Sequence, residues 1–517
     1  MFNRGVSRRD SFAPSRFGQH CLNLAAVGVL LSLAGCVVGP AYHRPAPPPV
    51  TQYLPPAGVA TPPVKGAQVF NYGQTVRGTW WRMFRSHRLN QLVAMALARN
   101  PSLQAASASL RVAHANLQAA MGIFYPQVNA GLSAERLRNS SAQFGGTSAG
   151  STFSLYTGTV GVSYYPDVFG INRLVYRQVK AAEDIARDEL DAARLSVAGN
   201  VVQTALSAAA VQSEIAATGR IITNEQSLLT LTQQRYHIGA ASYLDVVAQK
   251  SQLAADQATL PSLKQALDRD QDALAALCGS YPAQWNQQVL LITGMHLPGK
   301  LPVSLPSALV ANRPDIRAAE AQLRAANASV GEAVARMYPL LDITASFGGE
   351  SGKMNTLFDS ANRVWSLAAD LTAPIFEGGT LEAQKHAAQA AYDVSFAQYK
   401  VTVIGAFQQV ADALRALQHD TETLDALRTE LDSATVTLKL TQAQYRVGAV
   451  DYLALLSAES AYSRARIGFV QALAQRYTDT AALFVALGGG LPEAHSGDAA
   501  SPVADIHADS KNRRPGG

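Results

Sequence analysis

The 517-residue sequence predicts a mainly α-helical chain with membrane β-strands, arranged as two tandem repeats of two transmembrane strands plus a long helical hairpin. Three observations predict it. The chain contains a duplication. Four stretches alternate apolar and polar residues over about strand length. A long proline-free window rich in Ala, Leu and Gln follows each pair of them.

The N-terminus comes first. A basic stretch from Arg4 to Arg16 precedes an apolar run from Cys21 to Leu33, and then Leu33-Ala34-Gly35-Cys36. That is the layout of a secretory signal over 1–35: charged region, short apolar region, small residues before the cut. The run is too short to be kept as a membrane span. Leu-Ala-Gly-Cys resembles the bacterial lipobox, in which the cysteine is acylated and becomes the new N-terminus, so Cys36 is the expected lipidation site. Val37 stands where an aspartate would resemble an inner-membrane retention signal, which favours the outer membrane. Several acyl chains, at roughly 0.8 kcal/mol per buried CH₂, make a stable anchor. Of the three cysteines, Cys21 leaves with the signal and Cys36 is acylated. Cys278 then has no disulfide partner.

Residues 36–87, with Pro45, Pro47, Pro48, Pro49, Pro55 and Pro56, read as an anchor and tether. The repeats follow, at 88–280 and 305–488, with an irregular Pro-rich linker at 281–304 and an unstructured tail at 489–517. Asn100-Pro101-Ser102-Leu103 answers Arg313-Pro314-Asp315-Ile316, and Tyr125-Pro126 answers Tyr338-Pro339. Further on, Tyr236-His237-Ile238-Gly239-Ala240 answers Tyr445-Arg446-Val447-Gly448-Ala449.

Each copy opens with an Ala-rich helical stretch, His87–Gly122 or Pro306–Met337, expected to end at the Tyr-Pro because proline excludes the helical conformation from the residue before it. Period-two alternation then places strands near 127–135, 157–165, 341–347 and 365–372. Val128, Ala130, Leu132 and Ala134 share one face, as do Trp365, Leu367, Ala369 and Leu371. Each long window after the strands reads as two helices around a glycine, Gly239 or Gly448. A helix from Thr380 to Val447 would run on the order of 100 Å at 1.5 Å per residue. It carries a heptad seam of Leu424, Leu427, Leu431, Ala434, Leu438 and Tyr445. Its counterpart, Ile215, Ile222, Leu229 and Tyr236, is less regular, with Glu225 on the seam.

Four membrane strands cannot close a barrel, and an open strand edge is not tolerated in lipid. The chain must therefore assemble, as a dimer of about eight strands or a trimer of about twelve.

With these features the chain resembles outer membrane efflux proteins of the TolC superfamily, in the lipoprotein branch that works with resistance-nodulation-division pumps. The resemblance rests on Cys36-Val37-Val38-Gly39-Pro40 with Tyr42 and Pro45, and on Trp80-Trp81 with Phe84. It also rests on Arg313-Pro314-Asp315-Ile316 with Ala319-Glu320, on Pro374-Ile375-Phe376 with Gly378-Gly379, and on the two Tyr-x-x-Gly tips. It implies a homotrimer with a twelve-stranded barrel continued by a periplasmic α-barrel. The implied partners are a periplasmic adaptor (membrane fusion) protein, an inner-membrane pump and outer-membrane lipid. The adaptor-docking tips would be Ile238-Gly239-Ala240 and Val447-Gly448-Ala449. Relatives narrow the pore with an acidic residue in a Leu-Leu-Asp-Ala pattern, where this chain has Leu455-Leu456-Ser457-Ala458. Asp245 and Asp451 are the nearest replacements, with Tyr243, Arg446 and Tyr452 as candidate gate partners.

Two other readings stand beside a small-molecule efflux duct: a polypeptide-exporting duct of a type I secretion system, and a non-conducting envelope lipoprotein. An enzyme is not expected, because no metalloprotease, nucleophile-elbow or phosphate-loop motif occurs. Neither a metal nor another cofactor is expected. Of the net charge of +5, +3 lies before Cys36 (four arginines against Asp10), and the sequence has no basic stripe, so nucleic acid is not an expected partner.

Overall fold

The computed structural model describes residues 37–55, 67–139, 150–286 and 288–490. The signal segment, Cys36 and residues 491–517 lie outside the described residues. The chain divides into two compact units.

One unit contains residues 112–183 and 321–396, with the strands β2 (Gln127–Asn139), β3 (Ser151–Tyr164), β5 (Leu340–Ser351) and β6 (Arg363–Thr372). They form one antiparallel sheet in the order β2-β3-β5-β6, leaving β2 and β6 as edges. Register sorts the faces. Ala130, Val160, Phe347 and Trp365 lie in one row across the sheet, and the neighbouring row is Asn129, Gly161, Ser346 and Ser366. In that polar row the Ser346 and Ser366 hydroxyls are 2.8 Å apart. The apolar row is uncovered: Trp365 is 75% exposed, and every residue of β2 is exposed.

The first pair of strands runs further than the alternation predicted. Arg136, Leu137 and Arg138 reverse the polarity of the two faces, which hid the end of β2 from a period-two reading.

The second unit contains residues 44–111, 184–320 and 397–490. Its core gathers Trp80, Phe84, Leu301, Val303, Leu309, Ile316 and Phe484, with the Trp80 and Phe484 rings 5.5 Å apart. Strand β1 (Val69–Tyr72) pairs in parallel with β4 (Lys300–Val303). Both the tether and the inter-repeat linker therefore contribute a strand where the sequence showed only irregular, Pro-rich chain. Gly489, expected to open an unstructured tail, is ordered; its N–H donates to the Phe484 carbonyl at 2.9 Å.

The opening helical stretch of each repeat is broken in two, against expectation. Helix α1 (His87–Arg99) stops at Asn100 and α2 (Pro101–Met121) starts afresh; α5 (Pro306–Asn312) stops at Arg313 and α6 (Pro314–Ala335) follows. The cause is the proline rule applied one step earlier than the Tyr-Pro pairs. Asn100 and Arg313 each precede a proline and take ψ of 124° and 125°, outside the helical range. Asn100 then caps the new helix, its Oδ1 accepting from the Ser102 N–H at 2.9 Å. Arg313 is buried and donates to the Ala486 carbonyl at 2.7 Å, to Asp315 at 2.9 Å and to Gln409. The Arg-Pro-Asp-Ile motif is thus a fastening for the end of the last helix.

Four helices complete the chain: α3 (Ile171–His237), α4 (Tyr243–Leu277), α7 (Thr380–Arg446) and α8 (Tyr452–Ala486). The hairpins match in length, 67 and 35 residues in each copy. Pro261 lies within α4, on an exposed face, and does not end it. The predicted seam on α7 is buried at Leu424, Leu431 and Tyr445. On α3 Leu229 of the predicted seam is buried with Ile222 packed beside its cluster, Thr218, Ile221, Glu225, Leu228 and Thr232 are buried as well, and Tyr236 is left 42% exposed. Glu225 is buried on the seam, where the sequence placed it.

Among the described residues, no helix is long and apolar enough to cross a membrane.

Candidate functional site

Each hairpin reverses within a five-residue turn, 238–242 or 447–451. Gly239 and Gly448 take φ of 75° and 77°, a region that costs other residues roughly 1–2 kcal/mol. The Ala240 N–H donates to the Arg235 carbonyl at 2.8 Å and the Gly239 N–H to Tyr236 at 3.0 Å; Ala449 and Gly448 repeat this onto Gln444 and Tyr445. Both tips are Schellman caps, which use up the last helical carbonyls. Beside the glycines, Ile238 and Val447 are each 80% exposed, and nothing lies within 4 Å of where a side chain on either glycine would begin.

The candidate gate residues separate into three groups. Asp245 and Asp451 are helix caps. Asp245 forms a reciprocal capping box with Ser242 at 2.9 and 3.2 Å, and Asp451 accepts from the Ala454 N–H at 2.8 Å. Tyr243 and Arg446 are exposed, with the Tyr243 ring 5.7 Å from Tyr236. Tyr452 is buried, its ring 6.2 Å from Tyr445 and its hydroxyl donating to Gln249.

The residues that tie the hairpins together are ones the sequence did not single out. Arg235 on α3 donates to the Tyr445 carbonyl at 2.7 Å, with its guanidinium 4.5 Å from the Tyr445 ring centre. Gln249 on α4 is fully buried, accepts from Tyr452 and donates to the Glu225 carbonyl at 3.4 Å. Around it, Glu225 is pushed up to about 8, first by burial and then by Asp256 and Glu459; burial pushes Glu459 up to about 7. Glu225 stood out in the sequence as a charge on an apolar seam, and that was the available signal.

A second site lies next to the predicted lipidation position. Cys36 is outside the described residues, but its neighbours are held firmly. The Val38 N–H donates to the Phe169 carbonyl at 3.2 Å, and Asn327 donates to the Pro40 carbonyl at 3.1 Å. Gly39, at φ 107°, passes so close to α6 that a Cβ would sit 2.6 Å from the Gly331 Cα. At position 39 only glycine allows this approach and this φ. Gly39→Leu is expected to detach residues 37–40 while sparing the sheet, read as new proteolytic cleavage near residue 40 with an unchanged circular dichroism spectrum; an unchanged cleavage pattern would count against the clamp.

Uncovered membrane strands and paired 67-residue helices turned at glycine tips are the build of a channel subunit. Residues 92–280 and 305–489 match the model of the outer membrane efflux protein family, and the chain belongs to that family. The outer membrane protein OprJ of Pseudomonas aeruginosa is 32% identical over 92% of this chain and 97% of its own length. The toluene efflux pump outer membrane protein TtgC of Pseudomonas putida is 28% identical over 91% of this chain and 95% of its own. Among solved structures, the outer-membrane channel OprN superposes with a TM-score of 0.82 at 26% identity, covering 88% of this chain and 99% of that one. The chain is an outer-membrane efflux channel component, from a family of channels and not of enzymes.

Proposed function

We propose that this chain is the outer-membrane duct of a tripartite efflux assembly, passively conducting small molecules delivered by a periplasmic adaptor and an inner-membrane resistance-nodulation-division pump. The observation that carries the reading is the sheet itself: four strands, two unpaired edges and an uncovered apolar face. Unpaired backbone groups in lipid cost several kcal/mol each. Pairing β2 of one copy with β6 of the next removes them, and three copies give twelve strands in a closed barrel. The exposed tips, Ile238-Gly239-Ala240 and Val447-Gly448-Ala449, are the docking surface for the adaptor. The polar face of the sheet lines the pore, and drugs, toxic organics or metal ions are the cargo.

Closure at the tips is assigned to the link between Arg235 and Tyr445 and to Tyr452 with Gln249, which hold one hairpin against the other. Single-channel recording in a planar bilayer tests this. Wild type is expected to conduct weakly, and Arg235→Ala to raise the open probability several-fold. A purified oligomer that never conducts, even as Arg235→Ala, would overturn the duct reading in favour of a structural lipoprotein.

Acylation of Cys36 anchors the chain to the same membrane. The clamp on Val38, Gly39 and Pro40 supports it, since it holds the chain beside the segment that follows β3 and the helix that leads into β5. Cys36→Ser is expected to remove the acyl mass from the N-terminal peptide; an unmodified wild-type peptide would refute the anchor.

A further inference from the structure

We propose that the outer end of the sheet binds phosphorylated glycolipid headgroups of the outer leaflet, through Arg136, Arg138 and Arg363 with Lys353 beside them. The proposal rests on the barrel reading above.

Register places the three arginines. Arg136 lies opposite Ser154 and Arg138 opposite Thr152, continuing the same face as Val128, Ala130 and Leu132. Arg363 lies opposite Gly349, on the face of Phe347 and Trp365. All three therefore project from the membrane face where its apolar residues stop. The neighbouring acids do not join them: Glu135, opposite Leu155, and Glu350, opposite Thr157, point to the polar face.

The cations have no counter-charge of their own. The sequence contains no Asp or Glu from 136 to 166, and Asp359 is the one acid between 351 and 363. Arg136, Arg138, Lys353 and Arg363 are exposed, and none forms an ion pair among the described residues. The opposite end of the same unit differs. There Arg173 pairs with Asp167 at 2.8 Å and Arg336 with Glu332 at 2.6 Å. Among the described residues, Arg173 and Arg336 are neutralised within the chain at the inner end, and the four cations at the outer end are not.

The β5–β6 loop marks where the bilayer ends. Leu357 is fully buried, 3.3 Å from where a Cβ on Gly158 would sit, and its carbonyl lies over Gly349 on the apolar face. Phe358, 73% exposed, lies on the same apolar face, a ring carbon 3.5 Å from where a Cβ on Gly158 would sit. Aromatic residues followed outward by cations are the signature of a membrane interface. An arginine on the lipid face costs about 2–4 kcal/mol at the bilayer midplane but only about 0–1 near the interface. Near an anionic lipid surface each such charge gains about 1 kcal/mol, and the guanidinium fork matches a phosphate.

Barrel closure raises the demand for an anion. Strand β2 runs toward the outer end and β6 runs away from it, so joining these edges between copies brings Arg136 and Arg138 of one and Arg363 of the next to the same end of the seam. Like charges opposed across strands destabilise the pair. A bridging phosphate removes that penalty.

The test uses the purified oligomer in detergent and native mass spectrometry, with lipid A, the diphosphorylated glycolipid, as probe. Its dephosphorylated form and phosphatidylglycerol are the comparisons. Wild type is expected to retain lipid A at least ten-fold more tightly than either. Arg136→Gln with Arg138→Gln and Arg363→Gln should lose that preference, and the same three positions as lysine should keep part of it. Conductance should be unchanged in every variant. Equal retention of phosphatidylglycerol would overturn the glycolipid assignment, and undiminished lipid A binding by the glutamine variant would overturn the site. If the glutamine variant fails to assemble, the lysine variant decides: binding equal to wild type, or none, counts against the forked recognition. Wild type that binds lipid A but never conducts would refute the duct reading alone.

Discussion

Gly448→Asp is expected to abolish export while the oligomer still assembles. The substitution falls where the fold tolerates it and the proposed docking does not. Aspartate is among the few residues that enter the left-handed region at modest cost, and nothing lies within 4 Å of the new side chain. The cost to folding should stay near 1 kcal/mol. The consequence for a partner is larger, because a charge then sits beside the exposed Val447, and burying an unpaired carboxylate at an interface costs several kcal/mol. Gly448→Asn has the same shape and backbone preference without the charge, so it should retain much of the export. Drug susceptibility of cells carrying each variant, with oligomer measured by mild gel electrophoresis, checks this. Normal resistance with Gly448→Asp would remove the tip from the docking surface.

The packing of the tip helices should loosen as pH rises. Glu225 is buried against Asp256 and Glu459, with Gln249 and Tyr452 completing its surroundings, and its carboxyl is pushed up from 4.5 to about 8. A carboxyl whose folded value is raised stabilises the fold fully below its ordinary value and loses that contribution as pH climbs through the folded one. The window runs from about pH 4.5 to about pH 8, and Glu459, at about 7, acts in the same direction. Hydrogen exchange over 218–253 should therefore be faster at pH 8 than at pH 6 after correction for intrinsic rates. Glu225→Gln, which keeps the shape and cannot ionise, should abolish most of the difference and raise protection at pH 8. Equal protection of wild type and variant at both values would refute this account.

How much was legible in the sequence depended on the range of the interaction. The helix–turn–helix tips rest on local signals, and both glycines sit at the turns between helices that the repeat predicted. The strand positions followed from alternation, but the end of β2 was lost where Arg136 and Arg138 replaced apolar residues. The breaks at Asn100 and Arg313 were readable from the proline that follows each, yet the Ala-rich composition on both sides outweighed it. The capping role of Asp245 was likewise readable from Ser242, two positions after Ala240, in a Ser-x-x-Asp pattern. By contrast, the link from Arg235 to Tyr445 spans 210 residues and depends on the rotation of each helix about its axis. No single-sequence pattern fixes that rotation. It is also why two tyrosines at matching repeat positions diverge, Tyr445 buried at 4% and Tyr236 at 42% exposure.

The clamp on Gly39 carries a consequence for the order of folding. Asn327 and Pro40 are 287 residues apart, and Gly331 and Phe169 belong to different repeats. Closing so long a loop is slow and gains nothing until both ends are structured. The residues that leave the export machinery first therefore reach their final place last. An acylated N-terminus would hold the unfinished chain at the bilayer surface through that interval, working as a tether for folding before it works as an anchor.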